Sequence, residues 1–261
     1  MNTYKQEFSS IEQFYKYLCD TPFNDAFRWS SHSSVNGDYY FTKTRTFEDA
    51  VDLLKNGWDS MTPTLVQKLN IATKHDAPVM KQRNVLSVSG YQPVVPLYLA
   101  GVPTNMISKQ LVAVKSKVIN VTKLVNYSGG TSVDTMIEES IKAMQIVKKL
   151  EAQGYRCNLN VALGTQEDVR LICKVQIKSA NERLNVSKLC FPMVHPSMLR
   201  RLFFRFIEVN PETTQRFVHG YGRPVKFEEM KKAFPGDIII PSVLTTDIDK
   251  ITDLESLQAS V

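Results

Sequence analysis

Residues 112–178, VAVKSKVINVTKLVNYSGGTSVDTMIEESIKAMQIVKKLEAQGYRCNLNVALGTQEDVRLICKVQIK, decide the fold of this chain. The stretch opens with a β-branched run that continues to Tyr127 and predicts a strand. A Ser/Gly turn then leads into residues 133–153, where apolar side chains recur at helical spacing until Gly154 ends the helix. Two segments follow in which apolar and polar side chains alternate, and they predict a hairpin with a loop at residues 164–167. Together these elements predict a β-α-β-β unit in a mixed sheet.

The remainder of the chain predicts a helical, loop-rich N-terminal part. Amphipathic segments begin near Ser10 and Thr46, and both side chains are suited to capping a helix. Residues 88–108 combine five glycines and prolines with apolar side chains that need burial, which favours an ordered connection over a flexible linker. We therefore expect an α/β (or α+β) fold. A helical part at 1–108 and a mixed-sheet domain at 109–261 would form one compact unit.

Composition restricts the class of protein. The chain has 261 residues, of which 43% are hydrophobic and 22% charged, so it can bury a substantial core. It contains no apolar run of about 18 residues and no basic-then-apolar leader, so we expect neither a membrane span nor a secretory signal. Four scattered cysteines predict reduced thiols in a cytoplasmic protein, without a metal or another cofactor. They are Cys19, Cys157, Cys173 and Cys190.

Positive charge is concentrated in the middle third of the sequence. Residues 1–108 are neutral, residues 109–201 hold 15 basic and 7 acidic side chains, and residues 202–261 hold 7 basic and 9 acidic. The basic face predicted for the hairpin and its neighbouring strand could follow a phosphate backbone, although that face carries no aromatic side chain for stacking on bases. We therefore predict non-specific contact with nucleic acid or another polyanion. The candidate residues are Lys115, Lys117, Arg156, Arg170, Lys174 and Lys178.

A second candidate site lies at the stretch FPMVHPSMLRR, residues 191–201. His195 and Ser197 stand at the predicted start of a nearly all-apolar helix, where free backbone N–H groups favour an anion, and Arg200 and Arg201 follow one turn later. These four residues could therefore bind an anion or a partner. Alternatively, His195 caps the helix and the arginines pair with carboxylates as the helix packs in the core.

No catalytic constellation is recognisable in the sequence. It lacks Gly-x-Ser-x-Gly, His-Glu-x-x-His and Walker motifs, and its four histidines have unrelated spacings. A non-enzymatic binding protein is therefore the favoured interpretation. There are two alternatives: a structural or interaction protein, and an enzyme with a site near His195.

The order of elements in residues 112–178 resembles the start of a von Willebrand A-type domain, in which a strand, an Asp-x-Ser-x-Ser loop, a helix and a hairpin follow one another. This chain departs from that pattern in the loop. Asn126 occupies the position of the aspartate, and Gly130 replaces the second serine. The departures remove the charged ligand of a divalent cation, so we predict a degenerate loop without a metal.

Several segments together resemble an uncharacterised family of bacteriophage and prophage proteins. The resemblance implies a phage-encoded protein in the host bacterial cytoplasm or in the virion, with phage or host proteins as alternative partners to nucleic acid. It implies no reaction. The matching segments are Phe41-Thr42, Phe47, Ala50, Gly57-Trp58, Gly90-Tyr91, Pro93, Pro96, Ala100-Gly101-Val102-Pro103, Asn105-Met106, Leu150-Glu151, Gly154-Tyr155, His195-Pro196-Ser197 and Leu199-Arg200-Arg201.

Overall fold

The structure, a computed structural model, describes residues 2–22, 30, 36–72, 80–113, 117–127, 130–212 and 221–242. A π-helical segment, Met198–Phe203, continues directly into α8. In chain order the helices and strands are β1 (Thr3–Phe8), α1 (Ile11–Asp20), α2 (Asn36–Thr42), α3 (Phe47–Asn56), α4 (Thr62–Ala72), β2 (Met80–Ser87), β3 (Gln92–Pro93), α5 (Val95–Leu99), β4 (Met106–Ala113), β5 (Val118–Leu124), α6 (Val133–Ala152), β6 (Arg156–Gln166), β7 (Arg170–Lys178), α7 (Val186–Val194), α8 (Phe204–Val209), β8 (Arg223–Pro224), α9 (Phe227–Ala233) and β9 (Ile238–Ile240).

A mixed sheet forms the centre of the molecule. Its strands lie in the order β1-β7-β6-β5-β9, and the short β8 pairs with the end of β6. The pairs β1–β7, β5–β6 and β5–β9 are parallel, whereas β6 and β7 form an antiparallel hairpin. The strands β2, β4 and β3 form a second, separate sheet. The architecture is therefore of the α/β class, as predicted.

The two faces of the central sheet differ because side chains alternate along each strand. One face is apolar: Val121, Val161 and Val175 belong to the main core, which also includes the inner faces of α1, α3, α6 and α7. The opposite face carries a smaller core, in which α9 packs Met230 and Phe234 over the sheet. Beyond α9 this second face is polar.

The predicted β-α-β-β unit is present as β5, α6, β6 and β7. The prediction of a single strand over 112–127 is wrong, because β4 pairs with β2 while β5 lies in the central sheet. The predicted loop at 164–167 is also misplaced. Thr165 and Gln166 continue β6, since each pairs with both β7 and β8. The turn follows them, and the Glu167 amide donates to the Val169 carbonyl at 3.0 Å.

The N-terminal helices begin where their caps predict. The Ser10 hydroxyl accepts the Gln13 amide at 3.1 Å, and Thr46 and Asp49 form a reciprocal capping box at the start of α3. The boundary expected after residue 108 falls inside β4, and β1 completes one edge of the central sheet. Among the described residues, no helix is both long and apolar enough to cross a bilayer.

Candidate functional site

Residues 80–113 form a structure that we call the β-arm: β2 and β4 pair antiparallel over eight residues, and β3 and α5 lie at the tip between them. None of the residues from 82 to 110 is buried. The expectation that the apolar side chains of 88–108 are buried is therefore wrong within this chain. They lie on a sheet that no other described part of the chain covers.

Backbone hydrogen bonds nevertheless hold the tip of the β-arm in one conformation. The Tyr91 amide donates to the Ile107 carbonyl at 2.9 Å, and the Val94 amide donates to the Asn105 carbonyl at 2.7 Å. Gly90 lies so close to β4 that an added Cβ would stand 2.1 Å from the Ile107 oxygen. The tip is thus preorganised, although its side chains have no core of their own.

The surface of the β-arm is apolar and cationic. Leu99 is 79% exposed and Val88 70% exposed, and a groove of about 530 Å³ is lined by Val88, Val95 and Tyr98 among others. Residues 80–113 contain three basic side chains and no carboxylate, and the Lys109 ammonium lies 5.5 Å from the centre of the Tyr91 ring. The large exposed apolar side chains of the β-arm are Leu86, Val88, Tyr91, Val95, Tyr98 and Leu99.

The predicted basic face of the hairpin is largely neutralised. Arg170 pairs with Glu229 of α9 at 2.7 Å. Lys178, which is 3% exposed, pairs with Glu151 at 2.7 Å and also donates to the Cys157 carbonyl. These two side chains therefore do not form an open cationic track, and their contact with nucleic acid remains a prediction.

Lys174 is also paired, at 2.7 Å to Glu7 and at 3.3 Å to Asp237. Burial opposes the ionisation of Glu7, but hydrogen bonds from Lys174 and Lys5 outweigh it and lower the pKa of the carboxyl. Lys117 and Arg156 remain exposed, and Lys115 lies outside the described residues.

The second candidate site faces inward. Ser197 donates to the Thr42 carbonyl, and Arg201, which is fully buried, donates to the carbonyls of Thr44 and Arg45 at 3.0 and 3.1 Å. Arg200 donates to the Phe41 carbonyl, and its guanidinium stacks on the Phe41 ring at 3.9 Å. The structure therefore brings the predicted residues together, but Ser197, Arg200 and Arg201 donate to the backbone of residues 41–45.

His195 belongs to the same inward cluster. Its ring packs edge-on against Trp58 and stacks with Phe191, with centroid distances of 4.6 and 5.0 Å. Its Nδ1 accepts the Ser197 amide at 3.1 Å, which caps the following helix as the structural alternative predicts. Burial lowers the pKa of the imidazole to about 3, so the ring is neutral at physiological pH.

In the described part of the loop after β5, the side chain of Asn126 has a structural role. The Asn126 amide donates to the Gly164 carbonyl at 2.6 Å, so this side chain ties β5 to β6. Residues 128–129 lie outside the described part. Within the described ranges, no three histidine, cysteine, aspartate or glutamate side chains cluster as metal ligands.

The structure buries Lys123, which the sequence places on the basic strand beside the hairpin as a further candidate for following a phosphate backbone. Lys123 is inaccessible and donates to the Tyr127 hydroxyl at 2.6 Å and to Ser140 and the Met193 carbonyl, both at 3.0 Å. Burial lowers its pKa to about 8. The ammonium joins β5, α6 and α7, and this is a structural role. An alternating strand pattern does not distinguish such a lysine from an exposed one.

Comparison with known proteins identifies the family of the chain and nothing beyond it. Neither a search of curated proteins nor a search of solved structures finds a match. A single family matches almost the whole sequence, residues 1–258. The chain therefore belongs to the family described as Domain of unknown function (DUF7192).

Proposed function

We propose that this protein is a non-enzymatic interaction protein that docks on an acidic surface of another protein through the β-arm. The observation that carries the proposal is a β-arm with an ordered tip and six large exposed apolar side chains. Exposed apolar patches on a rigid scaffold are typical of interaction sites, since an uncovered patch of this kind otherwise favours aggregation.

The chemistry of the β-arm favours an acidic partner over a second copy of the chain. Interfaces are enriched in tyrosine, arginine and apolar anchors, all of which the arm presents. Arg83 and Lys109 are exposed, and residues 80–113 contain no carboxylate to balance them. Two arms that met would bring like charges together, whereas an acidic surface would attract the arm and orient it.

The resemblance to phage and prophage proteins indicates where such a partner is found. We expect a phage or host protein in the bacterial cytoplasm or in the virion. Nucleic acid is the alternative partner, because Tyr91 and Tyr98 are exposed, Tyr91 lies beside Lys109, and both rings could stack on bases. The experiment below distinguishes the two.

To test the proposal, a photo-crosslinking benzophenone amino acid replaces Leu99 in the full chain. The variant is then irradiated in cells that contain the natural partners of the protein. The matched control carries the same group at Lys149, an exposed residue of α6. We expect a discrete adduct from position 99, resistant to nuclease, that the double variant Arg83→Glu/Lys109→Glu abolishes. The captured protein is then purified, and its binding to wild type should weaken at least tenfold in the double variant.

Three results would contradict the proposal. The first is a nuclease-sensitive adduct, which assigns the β-arm to nucleic acid. The second is an adduct with the chain itself, which assigns a second copy as the partner. The third is equal labelling from positions 99 and 149, which indicates non-specific contact. The melting temperature of each variant is compared with that of wild type, so a loss of fold is not mistaken for a loss of binding.

A further inference from the structure

The polar half of the second sheet face contains a cavity that the β-arm does not share. It measures about 380 Å³ and lies over the strands β1, β5, β6 and β7, beside the start of α1. This volume is within the range of small-molecule sites. Amide side chains and one ion pair form most of the wall, which is lined by Glu7, Phe8, Ser9, Gln13, Asn120, Asn160, Lys174 and Gln176.

Hydrogen bonds among the strands fix some of the amide groups in this wall. Asn158 donates to the Asn120 oxygen at 2.8 Å, and Asn160 donates to the Thr122 hydroxyl at 3.1 Å. Gln13 accepts the Ser9 amide at 2.8 Å. Each side chain is therefore held in a defined orientation before a ligand arrives, which lowers the entropic cost of binding.

The other ends of these amides remain unused. Within the described part of the chain, the nitrogens of Asn120 and Gln13 and the oxygens of Asn160 and Gln176 have no hydrogen-bond partner. Asn160 is buried, with 4% of its surface exposed. The cavity thus offers two donors and two acceptors to one small ligand.

The charges around the cavity balance. Lys174 pairs with Glu7 and Asp237, and Lys5 pairs with Glu7 at 2.7 Å, so two ammonium groups face two carboxylates. An anion would have to approach the Glu7 carboxylate, and a cation would have to approach Lys174. Each approach brings like charges together and is repulsive, and a neutral ligand avoids this repulsion. A nucleobase is also disfavoured, because the one ring in the wall, Phe8, is buried in the main core.

We propose that this cavity binds a neutral polyhydroxylated ligand, namely a single sugar ring. Every sugar hydroxyl both donates and accepts, so a ring of hydroxyls matches mixed amide donors and acceptors. The partly exposed Glu7 carboxylate at the rim can accept from an adjacent hydroxyl. This inference does not depend on the function proposed for the β-arm.

The experiment titrates the full chain with the methyl glycosides of glucose, galactose, mannose and N-acetylglucosamine, while the side-chain NH₂ signals of asparagine and glutamine are followed by NMR. We expect one of these sugars to shift the signals of Asn120, Asn160 and Gln176 with a millimolar Kd. Gln176→Ala should weaken binding roughly tenfold, since it removes an unpaired acceptor.

Matched variants separate binding from folding. Asn120→Asp keeps the oxygen that accepts from Asn158 and removes the free donor, so it should also weaken binding. Gln110→Ala, an exposed amide on β4, and Arg83→Glu/Lys109→Glu should bind the sugar as wild type does. The inference is overturned if no glycoside shifts these signals at ~50 mM, if phosphate or adenosine shifts them equally, or if the cavity variants bind as wild type.

Discussion

At the residue scale, buried polar side chains explain why the best motif of the sequence is part of the scaffold. Arg201 is fully buried and donates to backbone carbonyls of residues 44 and 45, which leave water when the chain folds. A buried carbonyl without a donor costs about 1–3 kcal/mol. The arginine therefore fixes the segment before α3 to the π-helical segment.

The clearest test at this scale is the pH dependence set by His195. The folded imidazole stays neutral down to about pH 3, whereas the ordinary value is 6.5. Between these values the unfolded state binds the extra proton, so stability is full above 6.5 and falls as the pH decreases toward 3. We expect the loss to approach about 1 kcal/mol per pH unit, measured by urea unfolding at about pH 7 and about pH 5.

His195→Gln is the control, because glutamine can still accept the Ser197 amide and does not titrate. The other titrating groups remain in this variant, including Glu208, whose pKa burial raises. The difference between the two proteins therefore isolates the imidazole. If the free energy of unfolding depended on pH in the same way in wild type and in His195→Gln, the folded protein would protonate this ring as readily as the unfolded chain does. That result would contradict the prediction.

The identity of these residues was predictable from the sequence, but the direction in which they face was not. The helix start, the histidine and the arginine pair are all visible in residues 195–201. Their acceptors are carbonyls of residues 41–45, which lie 156 to 159 positions away along the chain. The prediction that the arginines pair with carboxylates missed these carbonyls because no local pattern indicates them.

At the element scale, the tip of the β-arm depends on one close backbone contact. We expect Gly90→Ala to separate the tip from β4, because the new Cβ would overlap the Ile107 carbonyl. Hydrogen exchange of the Tyr91 and Val94 amides should accelerate at least tenfold, while the global free energy of unfolding changes by less than about 0.5 kcal/mol.

Gly130→Ala is the matched control, since an added Cβ there meets nothing within 4 Å. It should leave both exchange and stability unchanged. A large fall in the melting temperature of Gly90→Ala would instead show that the β-arm is part of the core and contradict its role as a separate interaction element.

Local periodicity and caps predicted α1, α3, α6 and the β6–β7 hairpin, because each is defined by residues close in sequence. The β-arm was not predictable in the same way. The partners in its sheet, Met80 and Ala113, lie 33 positions apart, and the intervening apolar residues suggested burial. Whether a strand joins one sheet or another depends on long-range pairing, which periodicity does not encode.

At the scale of the whole molecule, ion pairs redistribute the charge that the sequence suggested. The middle third has an excess of eight positive charges, yet its cations at Arg170 and Lys174 pair with Glu229, Glu7 and Asp237. These carboxylates come from the two ends of the chain. Counting charge by segment therefore overestimates the cationic surface of the folded protein.

The last prediction follows from the pairing of these cations with carboxylates. If the four hairpin cations Arg156, Arg170, Lys174 and Lys178 all contacted phosphates, the affinity for single-stranded DNA would fall with salt with a log–log slope of about −3. Three of these four are paired, which leaves Arg156; with Lys117, an exposed lysine just before β5, it predicts a slope of about −1. Fluorescence anisotropy with a labelled oligonucleotide at several salt concentrations measures it, with Arg156→Ala as the variant and Lys149→Ala as the control. A slope near −3 would mean that the ion pairs open on binding, and it would restore nucleic acid as the leading partner over an acidic protein.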